Sequence, residues 1–138
     1  MQTIVDQPPP IATGRRPVWD IVIEYVHDRY LVSEDGLIAR AIADMRDRDH
    51  VGRERYGTPL TSGNGRDHLI DAYQEMLDSA VYLVNELDEH GVGPRTIIDK
   101  EDVPNDTKRW RLLCVQEMFA EQVRALLKLR KLIEERGS

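Results

Sequence analysis

DHLIDAYQEMLDSAVYLVNELDEH, residues Asp67 to His90, is the stretch that decides the fold. At about 100° per residue, Leu69, Ala72, Tyr73, Met76, Leu77, Ala80, Leu83, Val84 and Leu87 fall on one broad apolar face, as a helix docked on a core requires. The opposite flank is acidic. Asp67, Asp71, Glu75 and Asp78 follow at steps of four, four and three, so their carboxylates stack in one stripe that Tyr82 continues a turn later. No lysine or arginine lies between Asp67 and His90. Like charges at this spacing repel by a few tenths of a kcal/mol per pair, roughly, so the stripe needs a neutraliser. The helix dipole serves Asp67 and Asp71 only, because its field fades beyond the first turn. For the rest there are three physical options: plain solvation, a hard divalent cation, or basic side chains from another element or subunit.

Working upstream, the turn-rich connection Gly57 to Arg66, GTPLTSGNGR, delivers Asn64, Gly65 and Arg66 to the start of this helix. Backbone N–H groups there, with Arg66 and Arg55, form a possible phosphate grip, and a plain capped turn is the other reading. Leu37, Ile38, Ala41, Ile42 and Met45 mark a second helix running to about Tyr56, stopped by Gly57 and Pro59 and preceded by a turn at Ser33 to Gly36. In it Arg48 and Asp49 fall close to the apolar sector, either wet at a helix end or facing the acidic stripe, where Asp49 would complete an ion site. Asp44, Asp47 and Glu54 lie on its outer flank. From Val18 to Tyr30 the apolar residues fit a strand and a helix equally well, and we take the helix. Residues 1–17, with Pro8, Pro9 and Pro10 in succession, read as a flexible extended arm ahead of one helical domain over 18–138.

Downstream, Gly91 and Gly93 end the acidic helix, and a loop to Pro104 includes Thr96, Ile97 and Ile98 as a short extended piece. A long helix then begins near Asn105. Leu112, Val115, Phe119, Gln122, Leu126, Leu129 and Ile133 alternate by three and four, a heptad seam sustained to the end of the chain. Leu113, Met118, Val123, Leu127 and Leu132 widen that apolar surface, which predicts self-association as a homodimer or larger. The first turns carry Lys108, Arg109 and Arg111 against the dipole, so they invite an acidic partner or stay solvated.

The chain of 138 residues has a formal net charge of −6, which argues against nonspecific binding to nucleic acid or an acidic membrane. One cysteine, Cys114, has no partner for an internal disulfide. With no apolar run near a membrane span and no signal-peptide pattern, the expected location is the cytoplasm. Metal-type Cys/His spacing, a Walker-type glycine loop and internal repeats are all lacking in the sequence. The expected fold is all-α: a bundle of three to four helices with a long C-terminal heptad helix, in an oligomer.

The segments RYGTPL (Arg55 to Leu60), NGRD (Asn64 to Asp67), DAYQE (Asp71 to Glu75) and Asp78 with the following VYL carry a resemblance. Over about a third of the chain, from Ala43 to Glu86, they resemble a group of small proteins of bacteriophages and actinobacteria. That group is similar in turn to the MazG-like all-α nucleoside triphosphate pyrophosphohydrolases. The resemblance implies an oligomeric, Mg²⁺- or Mn²⁺-dependent enzyme that cleaves a nucleoside triphosphate to monophosphate and pyrophosphate, in a bacterial host's cytoplasm if phage-encoded. The family's second acidic motif, Glu-x-x-Asp, falls on Glu75 and Asp78. Its first, Glu-Glu-x-x-Glu, has no counterpart beyond Asp44, Asp47, Asp49 and an isolated Glu54. The expected metal ligands are therefore Asp49, Asp71, Glu75 and Asp78, with Glu75 and Asp78 catalytic and Arg55, Arg66 and Lys108 gripping phosphate oxygens. The alternative expectation is a noncatalytic helical protein that binds a basic host or phage protein through the acidic stripe or the last helix.

Overall fold

The computed structural model describes residues 7–30 and 36–136. Among the described residues there are four helices and no strand: α1 (Val18–Arg29), α2 (Leu37–Tyr56), α3 (His68–Glu89) and α4 (Asp106–Arg136). This is the all-α architecture expected from periodicity. The helix choice for the ambiguous stretch after Val18 holds, and no helix is long and apolar enough to cross a membrane. The chain divides into two compact units, and the boundary falls between Arg66 and Asp67, inside the stretch read from sequence as one helical domain.

In the first unit, α1 packs on α2, and Ile23 and Ile42 are their buried residues. Gly57 stops α2 by entering the left-handed region at φ 71°, where its N–H donates to the Arg53 carbonyl. Ser33, Glu34 and Asp35 of the expected turn lie outside the described residues, and Gly36 beside them takes φ 74° ahead of α2. The stretch before α1 runs along the connection that follows α2. Ile11 N–H donates to the Asn64 carbonyl (2.9 Å) and Val18 N–H to the Leu60 carbonyl (2.8 Å), while the Thr13 and Thr61 hydroxyls share a hydrogen bond of 2.5 Å. Prolines have no N–H to give, so here only their carbonyls serve: Arg66 donates to the Pro8 carbonyl at 2.6 Å.

The second unit is an antiparallel hairpin of α3 and α4. Asp67 caps α3, its side chain accepting from Ile70 N–H (3.2 Å). At the other end Gly91 (φ 70°) donates to the Asp88 carbonyl and Val92 N–H to the Leu87 carbonyl. These paired bonds satisfy the last carbonyls of the helix and turn the chain inward, so that Val92 packs on Leu87. Asn105 caps α4 by accepting from Lys108 N–H (2.9 Å), and Gln116 pins the intervening loop through the Gly93 and Thr96 carbonyls.

The core of this hairpin lies in two clusters. Leu87, Val92, Ile98 and Leu112 close the loop end, with Ile98 buried and its neighbour Ile97 in solvent. Ile70, Leu129 and Ile133 close the open end, backed by Ala72, Tyr73 and Met76. None of the seven seam residues from Leu112 to Ile133 is exposed. The seam is thus occupied by α3 of the same chain. What remains outside is the second row: Leu113, Met118, Leu127 and Leu132 are exposed, as are Leu69 and Leu77, which periodicity had placed on the packed face of α3. Leu69 stands in the first turn, and Leu77 lies at the edge of the packed sector, where a single partner helix does not reach.

Candidate functional site

The acidic stripe survives as a feature of α3, but its members have different environments. Asp67 leads it and is neutralised from within the hairpin: Arg136, at the last turn of α4, makes a two-pronged ion pair with it. That pair holds the Asp67 carboxyl below the ordinary carboxylate range, chiefly through the Arg136 hydrogen bond. The Ile70 N–H helps, and partial burial pulls the other way. Further along, Asp71 is half-buried while Glu75, Asp78 and Tyr82 are exposed. At 1.5 Å per residue, Asp71 and Asp78 stand about 10 Å apart along the axis, whereas Glu75 and Asp78 are neighbours within one turn.

A lowered folded-state pKa means that the Asp67 pair stabilises the hairpin above the unfolded-state pKa of the carboxyl. That stability is lost as pH falls through the folded-state value. Asp67→Ala removes both cap and ion pair and should cost about 1 kcal/mol, whereas Asp67→Asn keeps a capping oxygen and loses only the charge. Thermal melts between pH 7 and pH 2 check this. The acid-induced drop in Tm should be shallower in Asp67→Asn than in the native chain, and equal slopes would deny the pair its role.

Asp49, Arg55 and Arg66 have partners of their own. Asp49 accepts from Arg53 Nε (3.0 Å), the next turn of its own helix. This answers the question of what compensates a carboxylate on the inner side of α2. The same bond raises the Arg53 pKa, its side-chain hydrogen bond to Asp49 outweighing the effect of burial. Arg55 lies over the Tyr56 ring, 5.3 Å from its centroid. Arg66 serves the Gln7 and Pro8 carbonyls, and its own N–H donates to the Asn64 side chain. Among the described residues no three acidic, histidine or cysteine side chains gather in a way that could hold a metal ion. The exposed pair Glu75 and Asp78 offers two carboxylates one turn apart. It does not amount to a closed protein cage.

Lys108 belongs to a different place. With Arg111 from α4 and Glu86 and His90 from the end of α3, it lines an open cleft of about 430 Å³, floored by Leu112 and Val115. His90 pairs with Glu86 at 3.3 Å. Glu86 lies eight residues beyond Asp78, about 12 Å along the axis, so the hairpin does not bring Lys108 to the Glu75 and Asp78 pair. Sequence reasoning missed this cleft, because Glu86 and Lys108 are joined only by the antiparallel return of the chain.

One further buried group stands out. Asn64 is fully buried; its side-chain oxygen accepts from Arg66 N–H, while its amide nitrogen has no hydrogen-bond partner among the described residues. Its burial follows from its carbonyl's bond to Ile11 and from the fold of the connection around Thr61. No family model, curated protein or solved structure matches this chain.

Proposed function

We propose that this chain is a helical association protein that works through the exposed flank of its α3–α4 hairpin. One observation carries the reading: Leu77 and Val81 of α3 and Leu113 and Leu127 of α4 remain exposed after the two helices have packed on each other. Scattered apolar residues on a surface need no explanation. Here they recur at helical spacing on both members of one hairpin, which is the pattern of a docking face. Native mass spectrometry tests the reading. The native chain should carry mass beyond one copy, and Val81→Glu with Leu127→Glu should remove that excess while leaving the helical circular dichroism unchanged.

A second reading is a Mg²⁺-dependent, MazG-like nucleoside triphosphate pyrophosphohydrolase, favoured by the exposure of Glu75 and Asp78 one turn apart in a helix devoid of lysine and arginine. Bound there, the cation would screen triphosphate charge and acidify a water. The chain's own contribution would be to hold the cation through these two carboxylates. Purified protein incubated with each ribo- and deoxyribonucleoside triphosphate and Mg²⁺ or Mn²⁺ should then release pyrophosphate. The same metals should raise Tm by linkage, and both effects should vanish in Glu75→Gln with Asp78→Asn. A chain that turns over none of the nucleotides and whose Tm ignores millimolar metal leaves the association reading alone.

A further inference from the structure

We infer that the partner on this flank is a second copy of the same chain, docked with α3 of each copy against α4 of the other. This rests on the association reading above and adds to it the identity and orientation of the occupant. Helix geometry places the apolar residues. In an antiparallel pair, the α3 flank bearing Leu77 and Val81 and the α4 flank bearing Leu113, Ala120 and Leu127 lie on the same side of the packed seam. Leu77, Val81, Leu113 and Leu127 are 40, 57, 45 and 61% exposed, and Ala120 and Val123 between them are half-buried. The face is long enough to matter. A 22-residue helix beside its partner presents on the order of 650 Å², near the roughly 800 Å² per copy of a standard specific interface.

Charge chooses the partner. α3 carries six carboxylates and no lysine or arginine, whereas α4 carries eight lysines and arginines against five acids. A dimer that laid α3 on α3 would set two wholly acidic helices against each other. A two-fold axis parallel to the helices instead lays α3 on α4 of the partner and closes an antiparallel four-helix bundle. Because the axis preserves height along the bundle, the core pairings Leu87 with Leu112 and Ile70 with Leu129 also set the register across the interface. Asp78 then stands near the partner's Arg124, and Asp71 near the partner's Lys128. These residues rim the apolar strip as flanking charges rim a coiled-coil seam.

The test is a charge exchange read by sedimentation equilibrium at micromolar concentration, with circular dichroism confirming the fold of each variant. The native chain should be a dimer. Asp71→Lys with Asp78→Lys sets lysines against the partner's Arg124 and Lys128, and Arg124→Glu with Lys128→Glu sets glutamates against the partner's Asp71 and Asp78, so each variant alone should be monomeric. Mixed in equal amounts they should form a one-to-one heterodimer, since the exchanged positions on each α3 then meet side chains of opposite charge on the partner's α4. A monomeric native chain overturns the inference, as does a mixture that stays monomeric. If both variants remain dimers while Val81→Glu with Leu127→Glu does not, the flank associates and the α3-on-α4 orientation is wrong. If that apolar variant also stays dimeric, the association reading falls with it.

Discussion

Replacing Leu129 by lysine is expected to unfold the α3–α4 hairpin, not merely to separate two intact copies. Leu129 is buried among Ile70 and Ile133 at the open end of the pair. Losing a core leucine costs about 2–5 kcal/mol, and an ammonium group left in that apolar cluster adds a desolvation cost. Together these approach the roughly 5–15 kcal/mol that holds a typical domain folded. Leu127→Lys supplies the control: two residues away and 61% exposed, it should change the stability of the single chain by no more than about 0.5 kcal/mol. Urea denaturation followed by far-ultraviolet circular dichroism distinguishes the two. A Leu129→Lys chain with a native-like midpoint would mean that the seam is not the intrachain core.

The contrast between Leu127 and Leu129 also marks how far the sequence could be read. Periodicity located α2, α3 and α4 to within a residue or two and left α1 open between helix and strand; the bounds were legible because Gly57 and Gly91 stop helices through left-handed backbone and Asp67 and Asn105 start them by capping. A heptad seam, however, states only that some helix will cover it. Whether that helix comes from the same chain depends on the loop between, and nothing in residues 91–105 taken alone announces that Gln116 will tie their carbonyls back onto α4. The polar residues were harder still. Asp49, Arg66 and Asp67 have the residue types of an ion or phosphate site, yet Arg53, the Pro8 carbonyl and Arg136 engage them. Only the first of these contacts has a local spacing visible in the sequence. Contacts 58 and 69 residues apart arise from chain paths that periodicity does not encode.

At the loop end, Leu87→Ala should be the most damaging of the conservative truncations, costing about 3 kcal/mol or more. Leu87 is fully buried, and its side chain meets Val92, Ile98 and Leu112. Alanine leaves the backbone untouched, so the Leu87 carbonyl can still accept from His90 and Val92 N–H, both at 3.0 Å. Helix propensity slightly favours the substitution as well. The loss is therefore one of packing: transfer free energy for the deleted carbons plus the cavity they vacate. Gly91→Ala, by comparison, leaves the cluster full and strains only one left-handed residue, for about 1 kcal/mol. Because the two apolar clusters are separated along the hairpin, the Leu87 cavity should loosen the near end first. Native-state hydrogen exchange should show the Val92 and Val103 amides losing protection while the amides around Leu129 and Ile133 keep theirs. Equal loss at both ends would show that the hairpin opens as one cooperative unit.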